Sequence, residues 1–555
     1  MLRNISLLSL AFAVTTSAVI AQGPPPPLPP LPPTPVPAGN PITTAKANLG
    51  KVLFWDEQLS SNNTMACGTC HVLARGGSDP RTNAANTQSR APGLDGLMGT
   101  PDDILGSSGV SRSASNGAYL LAPFFRLEKQ VTTRKAPSVI NAGFPPLLFW
   151  DGRASNTFTD PITNAVVLPG GAALESQVMG PAVSDVEMAH VGRDWNQVAA
   201  KIAASQPLRL APQIPAALST WIAGRPYGDL FLEAFGSTAV TPVRIGEAIA
   251  TYERTLYSNQ APILPLTVGA PPPVLTTLEA QGQAIFTGPG RCVVCHAGPR
   301  FTNDSFRYIG VRPPNEDLGR FVVTNTAGDQ ARMKVPSLLN VELRAPYFHN
   351  GEMATLDDVV AFYNRGGDFN APNKDPAIAP IGLSLQQQSA LVAFLKRPLT
   401  DVRVALESAP FDHPTLFSAS TRVAQHFGSG TLGAGTFVPR MIADQPAAVG
   451  NTQFTIALDG ANAGRHAFLL FSPTGSTQPT PFQGANLYLS TTGFTFVRIG
   501  ATQGSGPGQG FGSATISIPN NPALVGQTFF AQWLVLDQTA GGRFSASEPI
   551  SATYF

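Results

Sequence analysis

Two pentapeptides set the terms for what this chain can fold into. Cys67-Gly68-Thr69-Cys70-His71 and Cys292-Val293-Val294-Cys295-His296 both read C-x-x-C-H. That is the attachment pattern of c-type haem: two thiols add across the vinyl groups, and the adjacent histidine is held close enough to ligate the iron. The chain has 4 cysteines, so the motifs use all of them and leave none for a disulfide. A single zinc site drawing on both pairs would leave the matching histidines as coincidence. Two thioredoxin-type motifs would need a βαβ context that neither has. The pattern therefore points to a dihaem cytochrome c, with two covalently bound haem c groups.

The N-terminus agrees. Residues 1–21 have a basic start at Arg3, an apolar run from Ile5 to Val14 and the small-residue exit Val19-Ile20-Ala21, which predicts a cleaved secretory signal. The run is too short and too rich in Ser and Thr to span a bilayer. The expectation is a periplasmic or otherwise exported protein, soluble after signal cleavage, that meets the c-haem maturation machinery outside the cytoplasm. Charged residues are only 13% and there are 53 Gly and 52 Pro, yet 43% of residues are hydrophobic. That balance predicts long ordered loops around cofactors rather than disorder. A formal charge of +1 gives no reason to expect a nucleic-acid partner.

Residues 22–39 read as a Pro-rich linker in extended polyproline form. The first haem domain is expected over 40–260, with helices at 195–205 and 241–258. In the second of these Thr241 is the N-cap, Pro242 the first helical residue, and Ile245, Ile249, Tyr252 and Leu256 the buried stripe. The second haem domain is expected over 274–402. A helix starting at Thr276 or Thr277 leads to Cys292, a capping box at Thr355–Asp358 opens a helix to Asn364, and Ser384 opens a last one with Leu391, Val392 and Leu395 inward. After 411 the texture changes to alternating runs at 454–458, 467–471, 514–518 and 529–535, which predict a β-rich accessory domain. Its histidines, His413, His426 and His466, show no metal-ligand spacing. The expected fold class is mainly α, two cytochrome c-like haem domains with long loops, plus a C-terminal all-β sandwich-like module.

From about residue 49 to 400 the chain resembles the bacterial dihaem cytochrome c peroxidase and MauG family. The matching strings are Leu49 to Asp56, Pro137 to Asn141, Phe149-Trp150-Asp151-Gly152-Arg153, Gln177 ahead of Glu187-Met188, Val335 to Leu338, and Ala345 to Gly351 with Thr355-Leu356 and Phe362-Tyr363-Asn364 after it. The resemblance implies His71 and His296 as proximal iron ligands and Glu187 as the distal acid–base group. It implies Gln177 as the amide that orients peroxide, Pro181 as a pocket wall and Trp150 as a relay between haems. O–O heterolysis needs both a base and an acid, which is the work a positioned carboxyl can do.

In the family's resting peroxidases a second His soon after the first motif closes that iron; here none occurs between His71 and His190, so an open face is expected. His190 is either a stray ligand or a surface or core side chain. At the second haem, peroxidases carry Met where this chain has Tyr363, the MauG-like choice, on the helix face shared with Leu356, Val359 and Val360. Met353 is the competing ligand. A phenolate favours the higher iron oxidation states. The family's calcium would use the carbonyls of Arg344 and Pro346, but Lys135 stands at the Asn position, and an ammonium cannot ligate a cation. Asp95, Asp102 and Asp103 form either another calcium loop or a solvated turn. Expected partners are hydrogen peroxide with a small cytochrome c or cupredoxin as donor, or a protein or organic substrate. A non-catalytic dihaem electron carrier is the competing class.

Overall fold

The computed structural model of the protein describes residues 28–271, 273–433, 437–490, 493–539 and 542–555. The expected signal and the first residues of the Pro-rich linker lie outside that range. The described part of the linker is not a free spacer. Leu28 and Leu31 pack on the second haem domain, and the Tyr257 hydroxyl donates to Leu31 O at 2.7 Å. The Arg254 guanidinium donates to Pro35 O at 3.2 Å.

Each expected haem domain is built around one tight helix crossing. In the first, Thr44–Trp55 crosses Pro242–Thr255. The crossing is set by Gly50, where a Cβ would stand 1.9 Å from Ala248 O. Thr241 caps the second helix through Arg244 N, and Ile245, Ile249, Tyr252 and Leu256 all face the core. In the second domain Thr277–Thr287 crosses Leu385–Leu395 at Gly282, where a Cβ would meet Ala390 O at 2.0 Å. Capping boxes at Thr276/Glu279, Thr355/Asp358 and Ser384/Gln387 start the three helices expected there. Helices at Ala173–Val178, Ala216–Ile222 and Tyr227–Phe235 were not expected.

"Mainly α" describes these helical cores but not the chain as a whole. Short antiparallel ribbons line the haem part, among them Ser108–Ser111 with Lys129–Val131 and Phe306–Arg307 with Met333–Lys334. The C-terminal part is antiparallel β. One sheet runs Arg440–Ile442, Phe454–Ala461, Gly510–Ile516. The other is centred on His466–Ser472 and Thr528–Thr539. Alternate residues of both sheets, including Phe454, Ile456, Leu469 and Trp533, share one core, as a sandwich requires. The Trp533 indole ties the sheets by donating to Ala457 O at 3.1 Å.

The β part is seated on the first haem domain at two places. Phe411 and Leu416 belong to that domain's core, and Glu57 accepts from the amides of Phe417 (2.5 Å) and Ser418 (3.0 Å). His413 stacks on Trp55 at 3.8 Å, so it is a packing residue. On the other side the long insertion after the first motif reaches across. Tyr119 and Leu127 pack with Ile442, Ala457 and Phe511, and Arg126 forks onto Asp459 at 2.6 and 3.1 Å.

Candidate functional site

Two cavities open where the C-x-x-C-H motifs lie. The first, about 470 Å³, is lined by Cys70, His71, Gln177, Pro181, Glu187 and Trp150. The second, about 200 Å³, is lined by Cys292, Cys295, His296, His349, Tyr363 and again Trp150. The cysteine pairs therefore serve separate cavities, which rules out one zinc site shared between them. Among the described residues no group of three or more His, Cys, Asp or Glu is placed to hold a metal ion on its own.

The donor sets fit haem. His71 Nδ1 lies 3.1 Å from Gly77 O, and His296 Nδ1 lies 3.0 Å from Phe301 O. An Nδ1–H committed to a carbonyl leaves Nε2 as the nitrogen for a metal. Burial holds both imidazoles below their usual range, His296 at about 4, so both are neutral as ligands must be. Cys67 lies at an adjoining small chamber with Cys70 and His71.

On the other side of the first cavity, the short helix Ala173–Val178 supplies Gln177, and the turn after it supplies Pro181 and Glu187. Burial pushes the Glu187 carboxyl above its usual range, and the Arg153 charge partly opposes that. A carboxyl shifted in that direction is a better proton acceptor and donor pair than an ordinary one. No histidine other than His71 lines this cavity. His190 points elsewhere, its Nδ1 3.0 Å from Val191 O, in a polar pocket against the β part.

In the second cavity Tyr363 comes from the Leu356–Arg365 helix, with Leu356, Val359 and Val360 beside it. Its hydroxyl makes no hydrogen bond to another described residue. Burial, with the nearby Cys292 and Cys295, holds it well above its usual range. Met353 is not among the residues lining this cavity.

Trp150 lies between the cavities, its indole donating to Lys135 O at 2.8 Å and its ring edge-on to His349 at 6.2 Å. The segments around it are exchanged between the halves. Lys135 N donates to His349 O and Lys334 N to Trp150 O, both at 2.7 Å. Lys135 Nζ donates to Arg344 O (2.7 Å) and Pro346 O (2.5 Å), and Lys334 Nζ to Leu147 O (2.9 Å). Phe149 and Phe348, at equivalent places in the two loops, both sit at positive φ, 64° and 67°. That conformation is strained for an aromatic residue and is held by the surrounding bonds. Arg134 adds a further tie, reaching Asp151 at 2.7 Å and Asp317 at 2.6 Å.

The carbonyls implied for calcium thus accept from the Lys135 ammonium. The carboxylates of Asp102 and Asp103 accept from their own loop, at Asp95 N (3.1 Å), Thr100 Oγ1 (2.7 Å) and Gly99 N (2.8 Å). Sequence reasoning missed Lys334 and used His349 only as a landmark. The signal was present as a repeat, Lys135-Ala136-Pro137-Ser138 against Lys334-Val335-Pro336-Ser337.

Residues 44–264 match the model of the di-haem cytochrome c peroxidase family. A cytochrome c peroxidase, IdrP1, of Denitromonas iodatirespirans is 28% identical over 428 residues, covering 71% of this chain and 93% of that protein. The methylamine utilization protein MauG of Methylorubrum extorquens is 29% identical over 365 residues, covering 65% of this chain and 80% of its own. A solved MauG-like protein associated with microbial copper homeostasis aligns with a TM-score of 0.49 at 24% identity, over 71% of this chain and 97% of that one. Over residues 44–264 this chain is similar to the di-haem cytochrome c peroxidase family, whose description carries two haem groups.

Proposed function

We propose that this protein is an exported dihaem c-type oxidoreductase that uses hydrogen peroxide. Cys67, Cys70 and His71 would hold the first haem, and Cys292, Cys295 and His296 the second, through thioethers and proximal imidazoles. Bound haem supplies the iron that accepts and passes on oxidising equivalents. The observation that carries the reading is the convergence of Gln177 and Glu187 on the cavity of His71, with no second histidine there. Gln177 orients peroxide through its amide. Glu187 takes the proton from one peroxide oxygen and returns it to the other, which then leaves as water. Trp150, lining both cavities, is the relay between the sites. The electrons come from a small cytochrome c or cupredoxin.

Tyr363 as second-haem ligand supports a second reading, MauG-like oxidation of a protein or organic substrate. Its place in the second cavity, with Met353 outside the lining, favours that reading over an ordinary high-potential second site. A simple electron carrier fits less well, because the first cavity offers no second strong ligand.

Ferric and peroxide-treated spectra of the haem-loaded protein test the proposal. A high-spin first haem that reacts with stoichiometric peroxide is expected. Two low-spin haems inert to peroxide would refute it.

A further inference from the structure

The Pro242–Thr255 helix brings a second carboxyl to the first cavity. Glu253 is 4% exposed and lines both the large cavity and the adjoining chamber of about 50 Å³ that also touches Gln177 and Glu187. Its Oε2 is buried without a hydrogen-bond partner. The neighbouring cation does not serve it: Arg254 is committed to Glu175 at 2.7 and 2.8 Å. Much of the chamber wall is apolar, including Leu59, Met65, Met188, Trp195 and Ile249.

Burial pushes Glu253 up to about 8; Arg254 draws it down and Glu175 pushes it further up. Glu187, Cys67, Cys70 and His71 share the chamber with it and Tyr252 feels its charge; Arg134, Lys135, Arg153, Arg300, Lys334 and Arg344 line the large cavity, and none of these six is among the charges that act on Glu253. Glu253 is therefore an acid rather than a carboxylate at neutral pH. An unpartnered acid in a dry wall is poor packing, and such groups cluster where proton chemistry is done.

The proton count of the proposed reaction calls for such a group. Reducing hydrogen peroxide to two waters consumes two protons and two electrons. The donor protein supplies the electrons. In the step assigned to it Glu187 moves only a proton the peroxide already carries, so the two that are consumed must enter the cavity from solvent. We propose that Glu253 is the acid that feeds protons to the first cavity, handing each into the chamber it shares with Glu187 and regaining one from solvent before the next. One O–H bond of Glu253 breaks for each O–H bond formed on a departing water, and two such transfers complete one peroxide. This rests on the peroxidase reading.

The test uses the haem-loaded full chain and Glu253→Gln, which keeps shape but cannot give up a proton. Infrared spectra of the ferric protein at neutral pH should show a protonated-carboxyl band that shifts in D₂O and is absent from the variant. Single-turnover reaction with peroxide should be unchanged. Steady-state reduction should fall by roughly 10²-fold, as expected for losing a positioned proton donor. The alkaline limb of the wild-type pH–rate profile should vanish with it. If the glutamine variant does not take up haem, Glu253→Asp replaces it, and a displaced alkaline limb is expected. A missing carboxyl band overturns the proposal. So does an unaltered rate and pH profile in either variant while the wild type reduces peroxide. A wild type that does not reduce peroxide overturns the peroxidase reading as well.

Discussion

Lys135→Met probes the tie between the two halves, and its effect can be worked from the structure. Lys135 is 3% exposed. Burial, helped by Arg344 and opposed by Asp79, pulls its ammonium from the ordinary 10.5 down to about 7. A drop of that size corresponds to about 5 kcal/mol spent on burying the charge, at ~1.4 kcal/mol per pH unit. Methionine removes that cost but leaves the carbonyls of Arg344 and Pro346 without their donor, at about 1–3 kcal/mol each. The two terms oppose each other and are similar in size, so near pH 7 the net change should stay within about 3 kcal/mol.

The pH dependence does not cancel. Between about pH 7 and 10.5 the unfolded chain holds this proton and the folded chain has lost it. Stability from this group therefore rises with pH, by ~1.4 kcal/mol per unit, and the methionine variant lacks the rise. Urea midpoints of the haem-loaded wild type and variant, measured from neutral to alkaline pH, should diverge in favour of the wild type by about 5 kcal/mol in total. Lys201 and Lys334, also buried, contribute equally to both proteins and drop out of the difference. Parallel curves would refute the account of Lys135 as a buried amine that gives up its proton near neutral pH.

Glu187→Gln should keep both haems and lose peroxide turnover by roughly 10²-fold or more, and near-normal steady-state rates would remove Glu187 from the reaction. Tyr363→Met should raise the second haem potential in a redox titration and abolish any oxidised state shared by the two sites, with haem content unchanged. An unmoved potential would exclude Tyr363 as a ligand. Arg126→Met should leave Asp459, 1% exposed on its side chain, with Arg440 at 3.5 Å as its remaining cation among the described residues. A loss of about 1–3 kcal/mol and faster proteolytic cleavage around residues 112–131 are expected, and unchanged cleavage would show that this contact does not hold the β part.

The features legible in the sequence are those encoded locally. Thr241-Pro242, Thr276, Thr355 and Ser384 start helices because each cap bonds to an amide within its own first turn. The strand expected at 514–518 instead runs Gly510–Ile516, because Gly510 and Gly512 read as turn residues and only their pairing with Ala461 and Leu458 makes them strand. The boundary expected at 411 cuts through packing, since Phe411 and Leu416 belong to the first haem domain's core. Candidate site residues were found through strings spaced like the family's. Glu253 was passed over, because nothing near it in sequence says that its neighbour Arg254 is already taken by Glu175.

The exchanged bonds around Trp150 also bear on the order in which the protein is made. Much of the wall of the first cavity, from Lys334 to Phe348, is translated long after Cys67 and Cys70 have emerged. Until that segment arrives, the first cavity lacks this part of its wall. Closure then comes with the second half, through Lys334 on Trp150 and Lys135 on His349. Each loop completes hydrogen bonds of the other, so a change in one is expected to be answered by its counterpart. Across related sequences, positions 135 and 344–349 should vary together, as should 334 and 147–150.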